Sequence, residues 1–115
     1  MKKLIIHSQE SLRFVTHSEI SYCKSDNCYT TIFLIDGEEL IMCKSLKKVI
    51  EELSPNQFLR VSQSFVINKN CVRLVDKKKR IIELKGGVRI PFTTTITELI
   101  SLMASNVYPS REVGI

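Results

Sequence analysis

The sequence of 115 residues has no apolar run near the roughly 18 residues that a membrane-spanning helix needs. Its first residues, Met1-Lys2-Lys3-Leu4-Ile5-Ile6-His7-Ser8, start like an export signal. The apolar stretch Leu4-Ile5-Ile6 is nevertheless far shorter than the about 7–15 residues such a segment requires, so neither export nor membrane insertion is expected. Histidine is scarce: His7 and His17 are the only imidazoles, and a lone histidine is more often a surface or packed residue than a base. The four cysteines, Cys23, Cys28, Cys43 and Cys71, form no C-x-x-C pair, and neither histidine stands at ligand spacing from them. Close ligand pairs are what fix half of a zinc tetrahedron, so no metal site is expected and the cysteines read as reduced, core-filling thiols. Also missing are G-x-S-x-G, H-E-x-x-H, a glycine-rich phosphate loop and a calcium loop, and no two carboxylates stand out as an acid/base couple. These absences argue against an enzyme, a small-molecule substrate and a cofactor.

What remains is a globular chain, 43% hydrophobic and 25% charged, long enough for one core and too short for two. Its net charge of +5 is unevenly spread. Residues 1–59 carry 7 basic and 8 acidic side chains, residues 60–89 carry 9 basic against Asp76 and Glu83 alone, and residues 90–115 carry 1 against 2. A neutral first half followed by a basic third quarter suggests a surface facing a polyanion. Lys77-Lys78-Lys79-Arg80 by itself reads as a solvated hairpin turn; Arg60, Lys69 and Arg73 are what tilt the wider segment towards nucleic acid.

Most of the chain reads as short strands. Residues 4–7 and 12–15 flank a polar turn, residues 20–23 precede the polar Lys24-Ser25-Asp26-Asn27, and residues 29–35 run through Asp36-Gly37 into a returning arm at 40–43. The period then changes to 3.6: Leu46, Val49, Ile50 and Leu53 make the apolar stripe of a short helix, with Ser45 as its N-cap and Ser54-Pro55-Asn56 as its stop. Lys44, Lys47 and Lys48 at its start and Glu51 and Glu52 at its end oppose the helix dipole, which hints that an anion meets that end. Strands resume at 65–67, 72–75, 80–84 and 88–90. Ile96, Leu99, Ile100 and Met103 mark a final helix, with Thr95 and Glu98 as its capping box. Residues 1–105 form one expected domain, and 106–115 a disordered tail.

One segment has chemistry of its own. Between the apolar anchors Phe58 and Phe65 lie Arg60, Ser62, Gln63 and Ser64, a cation and three hydrogen-bonding groups held at both ends. Glutamine pairs bidentately with adenine, arginine with guanine or phosphate, and serine with phosphate oxygens. A polar connection without a partner explains the segment as well from these residues alone. Phe58, Arg60, Ser64, Phe65 and Asn68 also match the pattern F-x-R-x-H-R-S-[YF]-[LI]-[VI]-N. On that segment the chain resembles the LytTR domain, the mostly β DNA-binding module of LytR/AlgR-type bacterial transcription regulators. The hairpin 29–43, the Leu46 helix and the Ile90-Pro91-Phe92-Thr93 turn follow in the family's order, so the resemblance covers residues 1–104.

The resemblance implies a mainly β fold of small, mostly antiparallel sheets with two short helices. It also implies a cytoplasmic regulator without cofactor that binds direct repeats in promoter double-stranded DNA, as paired subunits, through loops in successive major grooves. Carried over by position, Asn27 and Cys28, Gln63, and Thr94 and Thr95 are the base readers of three loops. Ser45 and Lys47 at the first helix start match positions that meet the backbone, and phosphate there would account for its lysines; with them Lys44, Lys48, Arg60, Ser62, Ser64, Lys69 and Thr93 are the candidate phosphate contacts of this chain. Ser62 and Gln63 stand where the family often has histidine and arginine, and Thr93-Thr94-Thr95 where it has serine-arginine-arginine. An arginine–guanine contact carries about 1–3 kcal/mol of discrimination, so the preferred bases should shift, Gln63 towards adenine and the threonine methyls towards thymine. The same neutral groups leave open a β-rich protein-interaction module with weak or no specific DNA binding. The family commonly joins this module to a receiver domain, which has no room here, so a stand-alone regulator or part of a longer one is expected.

Overall fold

The structure, a computed structural model, describes residues 2–103. The expected disordered tail, 106–115, lies outside the described residues. The elements run β1 (Lys3–His7), β2 (Leu12–Thr16), β3 (Ile20–Asp26), β4 (Tyr29–Leu34), β5 (Glu39–Met42) and α1 (Leu46–Glu51), then β6 (Phe58–Arg60) and β7 (Phe65–Asn68). After them come β8 (Val72–Asp76), β9 (Ile81–Leu84), β10 (Arg89–Pro91) and α2 (Ile96–Met103). Short 3-10 turns at His17–Glu19 and Lys69–Cys71 connect strands. Every strand pair is antiparallel, in three sheets: β1-β2, β5-β4-β3-β7-β6 and β10-β9-β8. The chain is thus mainly β, with two short helices.

The five-stranded sheet is the middle layer, and the alternation of its side chains builds two cores. Cys23 pairs with both Ile32 and Val66, and these three pack with Leu4, Val15, Leu46 and Val49 on one face. One residue earlier, Tyr22 pairs with Phe33 and Ile67 on the opposite face, where Ile67 joins Ile82, Leu84, Ile90 and Leu99. Each fully buried aliphatic side chain contributes about 1.5–3 kcal/mol by leaving water. Tyr22 and Phe33 stack at 4.3 Å between ring centres. Arg13 on β2 grips Glu38 in the β4–β5 turn with two hydrogen bonds, of 2.7 and 2.5 Å, tying the first hairpin to the middle layer.

Antiparallel pairing sends successive connections to two ends of the middle sheet. One end collects the β3–β4 turn, the β6–β7 loop and the β5–α1 connection. The third sheet aligns with it: the amide of Phe92 donates to the Arg80 carbonyl (3.2 Å) and that of Thr93 to the Val61 carbonyl (2.9 Å). The β8–β9 turn and the β10–α2 connection therefore sit at this end too. The opposite end holds Lys2, whose carbonyl accepts from the His17 amide (3.1 Å), the two 3-10 turns, and the end of α2, where the Lys69 ammonium donates to the Leu102 carbonyl (3.3 Å).

Several local expectations change. β3 runs through Asp26, so the polar stretch read as a loop shrinks to a turn of Asn27 and Cys28, with Asn27 in the left-handed region at φ 56°. Residues 58–60 form an edge strand, because Phe58 belongs to one core and Leu59 to the other. α1 ends at Glu51, before Leu53. Cys23 and Cys71 fill the core as expected, whereas Cys28 and Cys43 are exposed, because they occupy connections beyond the last strand pair. Burial pushes the Cys23 thiol up to about 12 and raises Cys71 as well.

Candidate nucleic-acid interface

The first two loops lie side by side because β3 pairs with β7. Beyond the last pair, Lys24 with Phe65, the Ser25 amide donates to the Ser64 carbonyl at 2.8 Å, fastening Asn27-Cys28 beside Ser62-Gln63-Ser64. Asn27, Cys28, Gln63 and Ser64 are exposed, and Ser62 is half-buried. Ser62 turns inward: its hydroxyl accepts from the amides of Ser64 and Phe65, both at 3.2 Å. Arg60 braces the loop, its Nε donating to the Ser62 carbonyl (3.1 Å) and one Nη to the Gln63 carbonyl (2.7 Å). Both residues thus have structural partners within the loop itself. Ser62 shapes the turn, and Arg60 positions Gln63 with part of its five-donor fork, leaving the other donors for an outside partner.

The third loop is held to the second by the Thr93–Val61 hydrogen bond. Thr93 and Thr95 are exposed, and the Thr95 hydroxyl accepts from the Glu98 amide at 3.1 Å, which is the hydroxyl half of the expected capping box. Thr94 differs from expectation. Its hydroxyl is enclosed without a hydrogen-bond partner, so it presents no donor to a base in this arrangement, and its carbonyl accepts from the Arg80 guanidinium. That guanidinium lies 4.6 Å over the Phe92 ring. In sequence Arg80 reads as one of the cations of a solvated turn, yet it is the clamp between that turn and the third loop. The signal was present: pairing Pro91 with Ile81 across the Gly86-Gly87 turn sets Arg80 opposite Phe92.

On the far side of β4, the Thr30 hydroxyl donates to the Lys44 carbonyl at 2.9 Å and fixes the start of α1 at the same end. Ser45 accepts from the Lys48 amide (3.3 Å) as the expected N-cap. Lys47 and Lys48 are exposed, whereas Lys44 pairs with Glu52 at 2.7 Å. That pair gives one of the dipole-opposed lysines a partner inside the chain, and a helix of six residues adds little dipole of its own. Lys69 stands elsewhere. It lies at the other end of β7, its amide on the Gln57 carbonyl (2.8 Å) and its ammonium on Leu102, apart from every other candidate.

The motif residue Asn68 also serves the fold. It is 1% exposed; its Nδ2 donates to the Ile20 carbonyl (2.8 Å), and its Oδ1 accepts from the Asn70 amide (2.9 Å). His17, at the end away from the loops, is buried against Phe58 with ring centres 5.8 Å apart, and neither ring nitrogen has a partner among the described residues. It borders a cavity of about 220 Å³ with Lys2, Thr16, Ser18, Ser54 and Gln57. Burial, and then the charge of Lys2, lowers its pKa. Among the described residues no three His, Cys, Asp or Glu cluster as metal ligands do, and no helix is long and apolar enough to cross a membrane.

Five connections from separate parts of the sequence thus converge on one end, which shows small polar groups and lysines. The family model for the LytTr DNA-binding domain matches residues 10–102. A response regulatory protein of Vibrio cholerae serotype O1 is 30% identical over 84 residues, which are 70% of this chain and 31% of that protein, so the chain spans about a third of its length. Among solved structures, the LytTr DNA-binding domain of a methyl-accepting/DNA response regulator from Bacillus cereus matches with a TM-score of 0.74 at 17% identity, covering 90% of this chain and 97% of that one. At that identity the likeness is one of fold. The motif of residues 58–68, the three antiparallel sheets and the family match over nearly the whole described chain agree: the chain belongs to the LytTR family of DNA-binding domains.

Proposed function

We propose that the protein is a transcription regulator that reads duplex DNA in a sequence-dependent way through the loops gathered at one end of its middle sheet. The observation that carries this reading is the fastening of those loops to one another, Ser25 to Ser64 and Thr93 to Val61, which fixes their spacing before DNA arrives. The five strand ends span roughly 19 Å at about 4.8 Å per strand, wider than the about 12 Å of a major groove. The row therefore meets more than one groove edge, with bases read in the middle and phosphates touched at the flanks. Gln63 is the leading base reader, with Asn27, Cys28 and the Thr95 side chain beside it. Lys47, Lys48, Ser45, Ser64 and Thr93 serve the backbone, and two copies occupy direct repeats.

The test is selection of bound duplexes from a randomised pool, followed by competition anisotropy. An enriched motif, bound at least about 10³-fold more tightly than random duplex, is the expected result. Its appearance as two spaced copies supports pairing on repeats. A pool that shows no enrichment removes the sequence-reading proposal and leaves the interaction-module alternative. One observation favours that alternative: Ile5, Phe14 and Leu12 are exposed together on the outer face of the β1–β2 hairpin.

A further inference from the structure

The β8–β9 turn carries Lys77, Lys78 and Lys79, all exposed and none of them in an ion pair among the described residues. In sequence it is an ordinary charged hairpin tip. In the fold it is a fixed neighbour of the third loop. The Asp76 carboxylate accepts from the Lys79 amide (2.9 Å), Arg80 takes a left-handed conformation (φ 55°), and the Arg80 carbonyl accepts from the Phe92 amide. The Arg80 side chain then crosses the Phe92 ring to the Thr94 carbonyl. Turn and loop thus form one bolted unit, with three free ammonium groups at its edge.

We propose that this turn is a backbone-gripping wing: Lys77, Lys78 and Lys79 contact phosphates on the flank of the duplex beyond the bases met by the third loop. The proposal rests on the loop end being the face that meets DNA. Ammonium groups are compact point charges suited to phosphate, whereas planar base-edge readout calls for a fork such as guanidinium. Arg80, the one fork in the tetrad, is already engaged with Phe92 and Thr94. The wing therefore adds affinity and footprint without adding sequence preference. Because the turn is held by Asp76 and Arg80, its lysines lose less freedom on binding than those of a loose tip would. The neutral Thr93-Thr94-Thr95 stretch leaves the third loop without a cation, and the wing supplies charge immediately beside it.

The experiment compares wild type with the variant Lys77→Ala/Lys78→Ala/Lys79→Ala on the selected duplex and on a mixed-sequence duplex of equal length, over a salt series. Each phosphate contact contributes about 0.9 to the slope of log affinity against log salt, so the slope should fall by about two to three units on both duplexes. The ratio between the duplexes should hold, and the variant Lys77→Arg/Lys78→Arg/Lys79→Arg should keep the wild-type slope. An alanine variant with an unchanged slope, beside a wild type that binds the selected duplex specifically, overturns the wing alone. A wild type with no salt-dependent binding to either duplex overturns the loop-end reading and the wing with it.

Discussion

Arg60 commits Nε and one Nη to the carbonyls of Ser62 and Gln63, so its substitution should act through the loop as well as through charge. Arg60→Lys keeps the cation and loses the fork; competition anisotropy should show a reduced preference for the selected motif with an unchanged salt slope. Gln63→Ala should relax discrimination at one base pair by about 1–3 kcal/mol, while Lys47→Ala should weaken all duplexes alike and lower the slope by about one unit. Equal behaviour of these last two would sink the assignment of roles. His17 offers a different measurement. With its folded pKa held down by burial and Lys2, the unfolded chain takes up a proton first, so stability is level above about pH 6.5 and falls as pH drops through that value. Glu38, held low by Arg13, and Glu19, held low by Thr16, add acid sensitivity from the usual carboxylate range downwards, in a separate and more acidic window. His17→Phe should flatten the loss of urea midpoint between about pH 7.5 and about pH 5.5 that the wild type shows.

At the scale of elements, the sequence was legible wherever periodicity and turn chemistry agreed. The Tyr29-to-Leu34 strand with Asp36-Gly37 and the starts of both helices, with their capping hydroxyls Ser45 and Thr95, stand where their residues indicate. β6 was hidden because three residues show too little alternation, and its pairing with β7 is decided by two cores that exist only after folding. The place of Lys69 is hidden for the same reason: proximity in sequence to the motif conceals that β7 carries it to the other end. Arg80 was concealed by composition, since a guanidinium among lysines reads as one more solvated charge. Asn68, matched as part of the motif, proves to be an element joint. Asn68→Ala leaves the Ile20 carbonyl and the Asn70 amide without their partner and should cost about 1–3 kcal/mol, read as a lowered urea midpoint. Loop contacts made through the Ser25–Ser64 fastening should survive it, so affinity for the selected duplex in low denaturant should change little.

At the scale of the molecule, the middle sheet lends one face to each core, so neither core persists without it. Ile32→Ala and Ile67→Ala fall on opposite faces and should each cost about 2–5 kcal/mol. Both variants should still unfold in a single transition, superimposable by circular dichroism and by tyrosine fluorescence; separated transitions would show that the cores are independent. The same layered arrangement sorts the connections to two ends, and Lys2 and Leu102 both stand at the end without the loops. If the loop end meets the duplex as proposed, a partner domain, reporter or surface tether grafted through either of these points would point away from it. On that reading, cargo exchanged behind the sheet would leave the loops in front at their spacing, as in a portable reading head.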